Sequence, residues 1–199
     1  MKLTVATVVG VGALQSVTAV AQETRSEVSV QGTGFFTKES DGNGVQDHVT
    51  NTGGFLIGYR YNINRWLAAE ANYGYDRNTQ TYFGSGLGRV QSNVHQATGE
   101  AVVKLPSLLR LQPYALAGGG ALMFDPTGNA GGSFTSAKFE AKGAFVYGAG
   151  ADYAFTKHIS LRAEYRGYVY KAPDFNLASL NTNAWTHTAQ PSAGIVFRF

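Results

Sequence analysis

The chain has 199 residues, of which 44% are hydrophobic, 13% aromatic and only 15% charged, with 25 glycines and no cysteine. Soluble domains carry about 25% charged residues, so there are too few charges for an ordinary water-exposed surface, and no apolar run of about 18 residues follows the N-terminus to build helical membrane spans. A net charge of +3 is too small to argue for nucleic acid, and the lack of cysteine excludes a disulfide framework and a thiolate metal site.

Met1-Lys2 supplies one positive charge, Leu3 to Leu14 is a short apolar run, and Ala19-Val20-Ala21 precedes Gln22. A charged n-region, an apolar h-region and a small-x-small site form the pattern of a secretory signal. We therefore expect residues 1–21 to be a signal peptide and 22–199 to be the mature domain.

From Glu27 onward the chain alternates with period two, the signature of strands with two unlike faces. The first strand, Glu27 to Thr37, sets Val28, Val30, Gly32, Gly34 and Phe36 against Glu27, Ser29, Gln31, Thr33 and Phe35. Lys38 to Asn51 reads as a polar loop; its Asp41, Asn43 and Asp47 fall short of an EF-hand, which needs a closing glutamate. The second strand, Gly53 to Asn62, has Phe55, Ile57, Tyr59 and Tyr61 opposite Leu56, Gly58 and Arg60, and a tight turn follows over Asn62 to Arg65. The third sets Leu67, Ala69, Ala71, Tyr73 and Tyr75 against Ala68, Glu70, Asn72 and Gly74. Asp76 to Asn93 reads as a second long loop, and its glycines at 84, 86 and 88 lack the strand-before, helix-after context of a nucleotide-binding turn.

The fourth strand, Val94 to Leu105, carries Gln96, Thr98, Glu100, Val102 and Lys104 on its polar side. In the fifth, Pro113 to Phe124, the large apolar Tyr114, Leu116, Leu122 and Phe124 form one side and Ala115, Ala117, Gly119 and Ala121 the other, so the larger residues are expected on the oily face. After a third loop, Asp125 to Glu140, the sixth strand places Lys142, Ala144, Val146 and Asp152 opposite Phe145, Tyr147, Tyr153 and Phe155. The seventh, Ile159 to Tyr170, alternates Arg162, Glu164, Arg166 and Tyr168 with Leu161, Ala163, Tyr165 and Val169. A fourth loop, Lys171 to His187, leads to the last strand, Thr188 to Phe199, whose oily side is Ala189, Pro191, Ala193, Ile195, Phe197 and Phe199.

Eight strands joined by alternately long and short connections predict an all-β fold, an eight-stranded antiparallel up-and-down transmembrane β-barrel, with long loops on one rim and short turns on the other. The strand charges Glu27, Arg60, Glu70, Glu100, Lys104, Lys142, Asp152, Arg162, Glu164, Arg166 and Arg198 all fall on the polar parity. A charge on a lipid-facing midplane position costs about 2–4 kcal/mol, so this segregation is what a barrel in lipid needs. A soluble barrel turned the other way would expose a face too sparsely charged for water. The interior of an eight-stranded barrel is only wide enough for side chains to fill, and charges buried there have to pair. Arg60, Glu70, Glu100, Lys142, Asp152, Arg162, Glu164 and Arg166 are the expected lumen ion-pair network. A three-residue turn at Thr156 to His158 places Asp152 directly opposite Arg162.

With the signal, the eight strands, the Tyr-rich outer faces and the terminal Phe197-Arg198-Phe199, the chain resembles the OmpA-like small outer-membrane β-barrel family. The segments from Gly53 to Tyr61, Trp66 to Gly74 and Pro113 to Gly120 are similar to that family's second, third and fifth strands. The resemblance implies a bacterial outer-membrane location. It also implies contact with membrane lipid and lipopolysaccharide, and a C-terminal aromatic signal, here Phe197 and Phe199, read by the barrel assembly machinery. The longer members' peptidoglycan-binding domain has no counterpart here, so cell-wall tethering is not expected.

No cofactor, metal site or catalytic residue is expected. A lipid A-modifying enzyme would need a serine activated by a histidine, and His158-Ile159-Ser160 is the only close spacing, at a short turn facing away from the outer leaflet. The leading expectation is a non-enzymatic envelope-integrity or surface-interaction role through four extracellular loops that could hold a surface ligand. A narrow ion channel or an adhesin are the alternatives.

Overall fold

The computed structural model describes residues 25–38, 40–42, 45–49, 51–83, 88–127, 139–173 and 184–199, with backbone alone at 40–42, 45–49, 80–83 and 88–90. The expected signal peptide lies outside the described residues, as do the glycines at 84 and 86 and most of the third and fourth expected loops.

Ten strands follow in order: β1 (Ser26–Thr37), β2 (Ser40–Gly42), β3 (Val45–Val49), β4 (Thr52–Asn62), β5 (Leu67–Phe83), β6 (Gly88–Lys104), β7 (Leu111–Pro126), β8 (Glu140–Ala154), β9 (Ile159–Lys171) and β10 (Trp185–Arg198). All pair antiparallel in one sheet, and the β5–β6 pairing closes it. β1, β4, β5, β6, β7, β8, β9 and β10 are the eight staves, and β10 meets β1 through Glu27↔Arg198 to Thr37↔Thr188. Closure leaves no unpaired stave edge, which is the condition for placing strands in hydrocarbon.

Two expectations about loops change. Asp76 to Asn93 is not a loop over most of its length: β5 runs to Phe83 and β6 starts at Gly88, with Arg77↔Asn93 to Tyr82↔Gly88 in register. The Lys38 to Asn51 segment holds the β2–β3 hairpin, which adds to β5 through Gln46↔Phe83 to Val49↔Gln80. On one side of the long-loop rim the wall therefore continues as a four-stranded ledge, β2-β3-β5-β6. The sequence pattern hid it because the ledge segments are polar on both parities; period-two hydropathy arises only where one face meets lipid.

The short connections at 62–67, 104–111 and 154–159 share a rim with the start of β1 and with Phe199: Ser26 and Phe199 exchange backbone hydrogen bonds of 3.1 and 2.9 Å. Asn64 shapes the first turn, its side-chain oxygen accepting from the Trp66 and Leu67 amides at 2.8 Å each.

The outer face carries Val30, Ile57, Tyr59, Tyr73, Val103, Phe145, Tyr147, Leu161, Tyr165, Ile195 and Phe197, all exposed. Among the described residues nothing covers this belt. β7 is the exception to the expected orientation: Tyr114, Leu116, Leu122 and Phe124 are buried, and the exposed side is made of Ala115, Ala117 and Gly119. The reason is register. Lys104 points inward and stands opposite Tyr114, so every even position of β7 faces the lumen. The only charge in β7, Asp125, lies at its long-loop end on the exposed side, so the stretch from Leu111 to Phe124 offered no marker of the inner side.

One seam is weak. The β1–β10 ladder runs from Glu27↔Arg198 to Thr33↔Ser192 and resumes at Phe36↔Ala189. The gap falls opposite Pro191, which has no N–H to donate. Pro191→Ala restores a donor, and a net backbone hydrogen bond is worth about 1 kcal/mol. The variant is therefore expected to unfold at a higher urea midpoint in lipid vesicles, with unchanged transition steepness.

Candidate functional site

The lumen is packed in three tiers. The first, near the short-turn rim, is ionic, and all eight staves contribute to it: Glu27 from β1, Arg60 from β4, Glu70 from β5, Glu100 and Lys104 from β6, Tyr114 from β7, Asp152 from β8, Arg162, Glu164 and Arg166 from β9, and Arg198 from β10. The inward parity of each strand and the register bring them together. Glu27 stands opposite both Arg60 and Arg198, Arg60 opposite Glu70, and Asp152 opposite Arg162.

Three buried arginines link these carboxylates. Arg162 grips Asp152 with two bonds, Nε to Oδ1 at 2.7 Å and Nη2 to Oδ2 at 2.9 Å, and reaches Glu27 at 3.2 Å and Glu70 at 3.6 Å. Arg166 solves a specific problem. Glu70 and Glu100 are direct cross-strand neighbours, and like charges in that position repel. Its Nη2 lies 2.7 Å from Glu70 and its Nη1 3.1 Å from Glu100, while Nε donates to Glu164. Arg60 donates through Nε to Glu70 and comes within 3.5 Å of Asp152 and 3.8 Å of Glu164. Its guanidinium carbon sits 4.1 Å from the centre of the Tyr114 ring, in cation–π range. Tyr114 in turn donates its hydroxyl to Glu164 at 2.6 Å.

Lys104 and Arg198 complete the tier, 3.5 and 3.3 Å from Glu27. The five cations Arg60, Lys104, Arg162, Arg166 and Arg198 match the five carboxylates Glu27, Glu70, Glu100, Asp152 and Glu164. Lys142 does not join them. It stands opposite Leu122, at the far end of β8 from Asp152, and its partner is Glu140 on its own strand at 2.5 Å. The inward parity holds for Lys142, but its level in the barrel is wrong for the network.

The second tier is polar and centres on Asp76, a residue expected in a loop but fully buried in the lumen. It accepts from Gln96 at 2.6 Å, Thr33 at 3.2 Å and Gln190 at 3.4 Å, and Tyr168 donates to Gln190 at 2.8 Å. The third tier is apolar: Phe35, Val94, Leu122, Phe124 and Tyr170 are all buried, with Phe124 and Tyr170 rings 6.1 Å apart. Glu27, Lys104 and Arg198 had the inward parity but stood outside the expected network, and Tyr114 and Asp76 were lumen residues that sequence reasoning missed altogether. A parity carried across the β6–β7 turn from Lys104 would have found Tyr114, but the length of that turn is not readable from composition.

His158 and Ser160 do not pair with each other. Ser160 is buried on the lumen side, whereas the exposed His158 ring bonds the Arg198 carbonyl at 3.3 Å. Among the described residues no group of histidine and carboxylate side chains could hold a metal ion.

A closed eight-stranded barrel with an oily outside and an inside filled by paired charges, polar and apolar side chains defines a transmembrane barrel of the bacterial outer membrane. The family model for the outer membrane protein beta-barrel domain matches residues 4–199, and the chain belongs to that family. Among solved structures, the chain is similar to Neisserial surface protein A (TM-score 0.61, 15% identity, covering 87% of this chain and 97% of that one). It is likewise similar to OprG from Pseudomonas aeruginosa (TM-score 0.62, 14% identity, 89% and 97%). A third is Ail, the attachment invasion locus protein of Yersinia pestis (TM-score 0.52, 20% identity, 89% and 100%). At these identities the likeness is one of fold. No curated protein sequence matches the chain.

Proposed function

We propose that this outer-membrane barrel is non-enzymatic and works at the cell surface, as an envelope scaffold whose contacts are made by the long-loop rim. The observation that carries this reading is the asymmetry of the molecule. The lumen is filled along its length by ion pairs, polar bonds and apolar side chains, while β5, β6 and the β2–β3 hairpin extend beyond the barrel as a ledge. A filled lumen supports a scaffold over a solute pore, and a paired ledge is a firmer platform for contact than an unstructured loop. The separation of Ser160 from His158 argues against lipid A hydrolysis at that rim.

Phe197 and Phe199 are outward and exposed at the closing seam, which supports their role as the signal read by the assembly machinery. The outward belt is suited to membrane lipid, and its outer rim to lipopolysaccharide. Ail of Yersinia pestis has been solved with the heparin analogue sucrose octasulfate, which makes heparin a sensible first probe of surface contact.

The test replaces residues 80–90 by a short Asn-Gly turn and removes 40–49. The shortened barrel is expected to keep its heat-modifiable gel migration, while cells displaying it lose the adsorption to immobilised heparin shown by cells displaying the full chain. Adsorption that survives the truncation, or that the full chain never shows, contradicts a contact role for the ledge.

A further inference from the structure

The turn between β6 and β7, Leu105-Pro106-Ser107-Leu108-Leu109-Arg110-Leu111, is unlike the other short turns. Those over Asn62 to Arg65 and Thr156 to His158 are mainly polar, whereas this one exposes Leu105, Leu108, Leu109 and Leu111. Its tip is a defined reverse turn. Leu108 and Leu111 exchange backbone hydrogen bonds of 2.9 Å each, and the Arg110 carbonyl accepts from the Ala154 amide on β8 at 2.9 Å.

Leu109 occupies the tip with φ of 57°. In a two-residue hairpin loop that first position favours glycine, because a side chain there meets its own backbone. Here it holds a leucine that is fully exposed, so no packing among the described residues repays the strain. A rigid turn that carries strain to present an apolar side chain outward has its partner outside the chain.

The position of the turn identifies that partner. Leu108, Leu109, Arg110 and Leu111 line a cleft of about 700 Å³ together with Tyr153, whose ring lies on the lipid-facing side of β8. The cleft is thus continuous with the lipid-facing belt and lies at its short-turn edge, the level of the inner-leaflet headgroups. Arg110 adds a positive charge to the leucine turn, which suits that level. We propose that the β6–β7 turn is an anchor in the inner leaflet, with Leu108 and Leu109 seated among phospholipid acyl chains and Arg110 paired with an anionic headgroup. Buried apolar area and attraction of a basic residue to anionic lipid are the two forces that hold interfacial segments in a membrane.

The test uses the protein reconstituted in phospholipid vesicles with both native tryptophans replaced (Trp66→Phe, Trp185→Phe), and one tryptophan returned at a time. Leu109→Trp, with Leu108→Trp as a second probe, is expected to be quenched by brominated acyl chains as strongly as a belt reference, Ile57→Trp. A polar-turn control, Lys157→Trp, is expected to remain unquenched. Raising the share of phosphatidylglycerol is expected to deepen quenching at the leucine tip, and Arg110→Gln to abolish that increase. Leucine-tip probes that behave like Lys157→Trp overturn the anchor and leave this face to a periplasmic protein. Quenching indifferent to anionic lipid overturns the headgroup pairing.

Discussion

Arg162→Met is expected to destabilise the barrel by about 3–5 kcal/mol, the usual loss when one partner of a buried ion pair is removed. Arg162 satisfies Asp152 bidentately and also lies near Glu27 and Glu70. Its deletion leaves those buried carboxylates facing one another with less positive charge among them. Arg198 and Lys104 near Glu27, and Arg60 near Glu70, offset part of the deficit. The paired variant Arg162→Met/Asp152→Asn is expected to lose distinctly less than Arg162→Met alone, because it removes the carboxylate left most exposed to repulsion. Urea unfolding of vesicle-embedded protein gives both numbers. A loss for Arg162→Met below about 1 kcal/mol, the range of an exposed pair, is incompatible with a structural lumen network.

Ile57→Arg is expected to cost about 2–4 kcal/mol, the value for a basic residue near the bilayer midplane of an outer-membrane barrel. Ile57 lies midway along β4 on the outward face, between Val30 and Tyr73 in the register. The sign of the effect discriminates sharply. On a water-facing surface the same change is nearly neutral, whereas in hydrocarbon the guanidinium must snorkel or remain poorly solvated. Ile57→Ala serves as the control for lost side-chain area. Equal stabilities for the arginine and alanine variants would show that this face is not in lipid.

The fold was legible because lipid and lumen impose opposite chemistry on alternate residues. Wherever a strand carries a charge, as β4 does with Arg60 and β9 with Arg162, Glu164 and Arg166, the inner side is marked and the strand's orientation follows. β7 has no charge between Leu111 and Phe124, and its lumen side bears Tyr114, Leu116 and Phe124, residues as oily as those that face lipid elsewhere. Its orientation therefore depended on register, a tertiary quantity.

The inward side of the charged residues was legible, but not which of them meet: Glu27, Lys104 and Arg198 join the cluster although they were not expected in it. Parity put Lys142 inside, and it does point in, yet parity carries no information about height along the axis, and its height leaves it with Glu140. Tyr114 joins the network only through the Lys104↔Tyr114 register. Asp76 was hidden because the strand around it continues into polar sequence with no oily face. The ledge was missed for the same reason.

The central claim is that the lumen is closed and that the protein acts through its surfaces. Single-channel recording in planar lipid bilayers tests it most directly. Insertion without steady conductance steps, in the wild type as well as under high salt, is the predicted result. Stable, reproducible steps of one size would mean that ions pass the Arg60–Arg162–Arg166 tier and the Phe35–Leu122–Phe124 tier, and would contradict the account.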